Sequence, residues 1–424
     1  MAAVAAAGEG CRVLIAEKME KCGRKIRITG KGRCNITNIT DTETFLGKVR
    51  SGAEFVRKAV ETLPPERLRQ MLEKAGVRTV EERGRRLFPA SGRAFEVADA
   101  LVRMAERAGA EIVYHARVTD MERESDGWNI TMERRDGKQV RVSCSNAVIA
   151  TGGVSYKATG STGDGYLFAH RLGHAIVPLR PSLVSLKTDT SVFSRVKEQL
   201  RNVSLTLYAD GTEIDTQQGE MTVDGDIIEG PIVLRLSRNA VDALTDNKRV
   251  EAVLSLKPSL TPRQIAERIR RETEADASLT IEGLIRKMVP RTLVKAITSI
   301  AKVKNTDMAT AITDRTRDAI VGALTAISLR ITDYGGFDEA VVTAGGVSLG
   351  EVDSSTMESL KAPGIYFTGE TLDIDADTGG YNLQLAFSTG FLCGTSIAGK
   401  LRKTGSVQSV SIQGYVSPDK ARER

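Results

Sequence analysis

Four acidic side chains, Glu370, Asp373, Asp375 and Asp377, stand in one short stretch, and Gly379-Gly380-Tyr381-Asn382-Leu383 follows directly. Carboxylates so spaced accept hydrogen bonds from ligand hydroxyls. A glycine pair opening a helix offers bare N–H groups and the positive end of the helix dipole. Together they suit a ligand with both hydroxyls and an electron-accepting ring. Ahead of them, Ile365-Tyr366-Phe367 reads as a short buried strand that runs into Gly369, so acids and glycines share one strand–loop–helix turn. Such turns also serve only to reverse the chain in α/β proteins, and the choice rests on the other motifs.

A second donor-rich segment runs from Gly23 to Asn38. Arg24, Lys25, Lys31 and Arg33 are interleaved with Gly23, Gly30 and Gly32, and Cys34, Asn35, Thr37 and Asn38 close the run. A flexible, basic, glycine-containing loop suits a pyrophosphate. It is not a Walker A loop, because Gly32 follows Lys31 where Ser or Thr is needed. A solvated basic loop is the plainer reading, and the polar residues that close the run weigh against it.

Two more segments fit a dinucleotide fold. Ala2–Ala7 reads as a helix, Gly8-Glu9-Gly10 breaks it, and Arg12–Ala16 reads as a strand ending at Glu17, where an acid holds a ribose hydroxyl. No strand and no GxGxxG precede Ala2, so the chain is read as starting inside the helix that should follow them. Codons upstream are expected to encode both. Ala147-Val148-Ile149-Ala150 reads as a buried strand delivering Thr151-Gly152-Gly153 to a ligand at the sheet edge, and Ala340–Gly346 repeats that pattern. His170 and His174 have metal-ligand spacing but lack a third ligand, so a structural role is expected. The five cysteines form no CxxC pair, which points to neither zinc nor a disulfide frame and to a reducing, cytoplasmic setting.

At 424 residues, 41% hydrophobic and 27% charged, the chain can bury large cores in more than one domain. Aromatics make up 4%, too few for base stacking, and the net charge of +6 is spread, so neither a nucleic-acid partner nor a membrane span is expected. Residues 51–75 and 93–109 read as helical. The stretch 116–142 reads as strands turning at Asp126-Gly127 and Asp136-Gly137. Beyond Pro181 short strands continue to Arg235 around Asp210-Gly211 and Asp224-Gly225, and 262–323 reads as helical. The resulting class is α/β. Residues 1–184 and 336–403 form one sheet-and-helix domain, 185–256 with 325–335 an inserted β subdomain, 257–324 a helical subdomain and 404–424 a tail.

The stretches EKMEKCGRKIRITGKGRCNITN, ATGGVSYKATGSTGDGY, VVTAGGVSLGEVDSSTMES and GIYFTGETLDIDADTGGYNLQLAFSTG span nearly the whole chain. In them the sequence resembles the BaiN-like family of FAD-dependent NAD(P)H oxidoreductases, which includes bile-acid Δ4,6-reductase and aminoacetone-oxidase-like members. The resemblance implies a Rossmann-type FAD-binding domain, N-terminally truncated here, with inserted β-barrel-like and helical subdomains. It implies FAD as cofactor and NAD(P)H as electron donor. For the residues it implies Glu17 on the adenosine ribose, the Arg24, Lys25, Arg33, Cys34 and Asn35 loop at the pyrophosphate and flavin, and the Val118 backbone at adenine. Ala150, Thr151 and Gly152 would lie against the cofactor, Gly369, Glu370 and Asp373 near the ribityl chain, and Gly380, Asn382 and Leu383 at the ring. Ala376 departs from the glycine usual there. The implied reaction is hydride transfer to an enone of a small steroid-type molecule; it needs a proton donor, for which Tyr156, Tyr334 and Tyr381 are candidates that the sequence does not rank. An O2-using amine oxidase and an RNA-modifying or non-catalytic flavoprotein are the alternatives.

Overall fold

The computed structural model describes residues 1–189 and 191–404 and the backbone of 411–413. Two compact units account for them: Met1–Arg180 with Val342–Arg424, and Pro181–Val341.

The first unit is built on parallel strand pairs. Leu14–Glu17 pairs with Glu111–Tyr114, with Glu17 opposite Tyr114. Ala147–Ile149 pairs with Ile365–Phe367, with Ile149 opposite Phe367. Ile365, Tyr366 and Phe367 are all buried, as strands covered on both faces require. The helix Ala2–Gly8 packs on the long helix Tyr381–Thr404 at a glycine: a Cβ on Gly394 would lie 2.2 Å from the carbonyl oxygen of Ala2. Helices Ala53–Thr62, Pro65–Lys74 and Ala94–Arg107 each carry one apolar stripe, which in the last of them buries Ala94, Val97, Ala98 and Ala105.

An antiparallel sheet of 116–124, 127–134 and 139–144 follows, and Ser411–Gln413 adds a fourth strand against 141–143. Part of the segment read as a tail is therefore a sheet edge. The first hairpin also turns one residue earlier than its Asp-Gly signal. Glu124 pairs with Gly127, the first residue of its strand, and a Cβ there would lie 2.3 Å from the Cys144 carbonyl oxygen, so the position requires glycine.

The second unit holds a closed six-strand barrel in the order 186–188, 227–229, 212–224, 197–209, 250–255, 327–334. Closure removes free strand edges. Asp210 (φ 48°) and Gly211 (φ 80°) turn the long hairpin with both central residues left-handed, the twist-compatible geometry. The reading of strands through Arg235 fails at Gly230: Pro231–Thr245 is a helix with proline in its first turn, and it buries Ile232, Val233, Leu236 and Ala240. One apolar cluster runs through barrel and helices alike, from Leu205, Leu207 and Leu254 to Ile285, Ile297 and Leu324.

Candidate functional site

The Glu370 carboxylate is where distant segments of the first unit meet. Its Oε1 accepts from the Thr343 N–H at 2.7 Å, and Lys25 Nζ donates to both oxygens at 3.0 and 2.8 Å. Both side chains of this ion pair are about one-fifth exposed. Tyr166 O–H donates to the Glu370 backbone carbonyl at 3.0 Å and so holds the same turn through its main chain. Thr343 is itself a hub: its buried Oγ1 accepts from the N–H groups of Val154 and Ser155 at 3.0 and 3.2 Å. A Cβ on Gly153 would lie 2.4 Å from Thr343 Oγ1 and 3.0 Å from Glu370 Oε1, so glycine lets the Thr151–Gly153 turn close over this cluster. Gly369 (φ 64°) donates its N–H to Thr389 Oγ1 at 3.0 Å, which ties the same turn to the long helix. Tyr166 and Thr343 are the residues that the sequence reading missed. Both sit inside the quoted motifs, but only the fold places them beside an acid.

Ala150 and Thr151 are exposed at the end of their strand, and Gly152 (φ 74°) faces Ser161. In the strand Val342–Val347 the glycines do a different job from the one expected. A Cβ on Gly345 would lie 2.3 Å from the Pro178 carbonyl oxygen, and one on Gly346 2.8 Å from the Leu372 backbone, so they seat the strand and leave Thr343 as its contribution to the site.

Glu17 lies at its strand end as expected. Its Oε1 accepts from the Met19 N–H at 2.8 Å, and burial nevertheless raises the pKa of its carboxyl. The next residue, Lys18, pairs with Asp164 at 2.9 Å and so ties this turn to the Gly160–Asp164 loop. Val118 faces Met132 just before an irregularity in strand register, and its side chain packs in apolar clusters.

The basic loop divides by role. Lys25 reaches Glu370. Arg24, at the start of the helix Arg24–Ile28, pairs with Glu20 in the preceding turn at 2.7 Å. Arg33 pairs with Glu82 and lies 4.5 Å over the Phe88 ring. Cys34 is wholly buried in a left-handed conformation (φ 58°), and burial pushes its thiol up to about 11, which disfavours the thiolate. Asn35 Oδ1 and Thr37 Oγ1 are buried without a hydrogen-bond partner among the described residues. Orphaned polar atoms in this loop, beside a built carboxylate site, fit a polar ligand such as a dinucleotide.

The acidic quartet does not act as one cluster. Glu370 is at the site. Asp373 is half-buried in the adjoining loop, its N–H on the Val347 carbonyl at 3.1 Å and its carbonyl on Ser51 Oγ at 2.9 Å. Asp375 is buried in a strand pair with Ser51, and Asp377 is ion-paired to Arg50 at 2.7 Å. At the helix opening, a Cβ on Gly380 (φ 97°) would lie 2.5 Å from the Thr37 carbonyl carbon, so packing alone already requires glycine there. The Asn382 side chain is spent on the Ala376 backbone, and Leu383 is half-buried in the cluster of Leu63, Leu68 and Phe387.

His170 is exposed and His174 buried, so they do not share a metal. His174 Nε2 is 2.7 Å from Ser359 Oγ, its Nδ1 3.2 Å from Glu351, and its ring packs edge-on against Phe367. Among the described residues no group of three or more His, Cys, Asp and Glu can hold a metal ion, and no helix is long and apolar enough to cross a membrane.

With this geometry in hand, comparison with known proteins places the molecule. Residues 1–396 match the HI0933-like protein Rossmann domain, and the chain belongs to that family. It is 30% identical over 401 residues to a 3-dehydro-bile acid delta(4,6)-reductase of Clostridium scindens, a match covering 94% of this chain and 96% of that one. It is 26% identical over 387 residues to a ribosomal RNA dihydrouridine synthase of Escherichia coli, covering 91% of each. Among solved structures, a 3-ketosteroid-delta4-(5alpha)-dehydrogenase of Rhodococcus jostii aligns over 94% of both chains at 14% identity and a TM-score of 0.44.

Proposed function

We propose that this FAD-dependent oxidoreductase takes hydride from NAD(P)H and delivers it to the C=C bond of an enone in a small molecule, as in reduction of 3-dehydro bile-acid Δ4 or Δ6 intermediates. The observation that carries the reading is the Glu370 carboxylate, held by Thr343 and Lys25 where the turns at Gly153 and Gly369 close together. The 30% identity to a reductase of that name, across 94% of the chain, supports the substrate class. In this reading Glu17 accepts from the ribose hydroxyls, the Arg24–Asn35 loop lines the pyrophosphate and ring edge, and Glu370 accepts from the ribityl chain. Bound FAD would supply the hydride chemistry. The chain orients the partners and keeps a proton ready. Tyr381 is buried edge-on to Phe45 at 5.2 Å, and burial, with Asp377 nearby, raises its hydroxyl pKa, so it stays protonated and able to donate.

The test uses the full chain saturated with FAD, without air. NADH or NADPH should bleach the flavin, and a 3-oxo-Δ4 steroid should restore its colour while yielding the saturated product by mass spectrometry. Flavin that is reoxidised only by O2, with peroxide released, would instead identify the amine oxidase.

One observation favours a second reading, reduction of a uracil ring in RNA. Arg83, Arg85 and Arg86 are exposed on the hairpin 79–89, whose tip is held by Asn38 Nδ2 donating to the Gly84 carbonyl at 2.9 Å. Dihydrouridine formed in ribosomal RNA by the FAD-loaded chain and NAD(P)H, with the steroid enone untouched, would select it.

A further inference from the structure

The second unit contains a half-open cleft, lined only by its own residues. Its volume is about 260 Å³, and Leu200, Val203, Leu256, Met288 and Leu293 give it apolar walls. Two cations, Lys257 and Arg201, complete the lining with Gln199, and no acid is among the lining residues. The local fold explains the gap. The ladder between 197–209 and 212–224 shifts register between Leu200 and Val203, and Asn202 takes a left-handed conformation (φ 53°), so Arg201 and Asn202 drop out of the pairing. On the other side, pairing with 250–255 stops at Ser204 and Ser255, and Leu256 turns away to donate its N–H to the Leu324 carbonyl at 2.9 Å. The segment Met288–Leu293 then roofs the space left open.

Lys257 is the unusual member. It is half-buried, and its ammonium has neither ion pair nor side-chain hydrogen bond among the described residues. Burial lowers its pKa and Arg268 adds repulsion. A partly desolvated cation without a counter-charge is costly, and an apolar cavity beside it makes the natural counter-charge an anion that carries its own apolar body. Arg201, exposed at the rim, adds a second cation of the same sign.

We propose that this cavity is a binding site for a small amphipathic carboxylate, its chain among Leu200, Met288 and Leu293 and its carboxylate at Lys257. The volume suits a short aliphatic or aryl chain, below the range of drug-sized ligands. The site lies wholly within the inserted unit and does not rest on the flavin reading.

Isothermal titration of the full chain with octanoate tests it, with octan-1-ol as the neutral control. Octanoate should bind saturably with one site, and octan-1-ol should bind at least about ten-fold more weakly. Lys257→Met should weaken octanoate by about ten-fold or more, and Lys257→Arg should retain most of the affinity. Leu293→Trp, which fills the cavity from its apolar wall, should abolish binding. Thermal melting of each variant reports folding, and Lys257→Arg with Arg201→Gln carries the test if the methionine variant does not fold. Three results would overturn the proposal: octan-1-ol binding as tightly as octanoate, unchanged affinity in Lys257→Met, or no saturable heat at about 10 mM octanoate, where any useful affinity would register.

Discussion

Asn382 and Ala376 are joined at both ends of one side-chain amide. Oδ1 of Asn382 accepts from the Ala376 N–H at 2.9 Å, and Nδ2 donates to the Ala376 carbonyl at 2.8 Å, reaching the Asp377 carbonyl at 3.4 Å as well. The first turn of the long helix thus grips the acidic loop as a neighbouring strand would. Asn382→Ala should cost roughly 1–3 kcal/mol, the worth of two such bonds plus an amide left partly unsatisfied. Asn382→Asp should cost more than Ala does, because it keeps the acceptor, loses the donor and sets a charge against a carbonyl. Urea unfolding of the three proteins measures this, and equal midpoints would mean that the loop holds its shape without the amide.

Glu370 keeps the Thr343 N–H when Lys25 is removed, whereas the Lys25 ammonium has no side-chain acceptor besides Glu370 among the described residues. The two partners are therefore unequal. Glu370→Gln should weaken FAD by about ten-fold or more, since a charged acceptor is exchanged for a neutral one, and Lys25→Met should cost less than that. Flavin fluorescence titration gives both values. A larger loss from Lys25→Met would assign the cation, not the acid, to the cofactor.

Burial raises the pKa of Glu17 above its ordinary value, while the Met19 N–H opposes the shift. The sign follows from linkage: the folded chain holds this proton more tightly than the unfolded chain. The contribution to stability is full below the ordinary carboxylate pKa and is lost as pH rises through the folded value. A ribose hydroxyl donating to the carboxylate would reverse that shift. FAD binding should then release a proton in the window just above the ordinary value, and Glu17→Gln should abolish the release. Calorimetry in two buffers of different ionisation enthalpy detects it; proton uptake, or release unaltered in the variant, would remove Glu17 from the ribose.

Gly380→Ala carries a stability cost. Its Cβ would meet the Thr37 backbone at 2.5–2.7 Å, and its φ of 97° is strained for any other residue. Overpacking against backbone costs typically 1–3 kcal/mol, and the left-handed conformation adds to it. A melting midpoint equal to wild type, with flavin binding lost, would restore this glycine to the ligand.

How much of this was legible beforehand differs from motif to motif. Ile365–Phe367, Ala147–Ile149 and the strand ending at Glu17 declare themselves as short, continuous apolar runs of a parallel sheet, although only Ile365–Phe367 is buried along its whole length. The acidic quartet misleads because sequence spacing carries no direction. Asp377 is drawn off by Arg50 and Asp375 by a strand pair, two partners more than 300 positions away in the chain. The helix Pro231–Thr245 was hidden for a related reason: the hairpin signals before it are genuine, and only the Gly230-Pro231 break marks where period two gives way to period 3.6. Tyr166 on the Glu370 carbonyl is a tertiary contact, invisible until both segments are placed.

The discontinuity of the first unit sets an order of events during synthesis. The closed barrel and its helices lie within the continuous stretch Pro181–Val341 and share one apolar cluster, so all their partners emerge together. Ala147–Ile149, by contrast, waits for Ile365–Phe367, and Lys25 waits for Glu370. Domains fold as units while the chain is made, and such long-range pairings come late. On that principle the inserted unit can be complete in the nascent chain while the edge of Ala147–Ile149 is still unpaired. That interval, rather than the finished fold, is when an unpaired strand edge is open to mispairing.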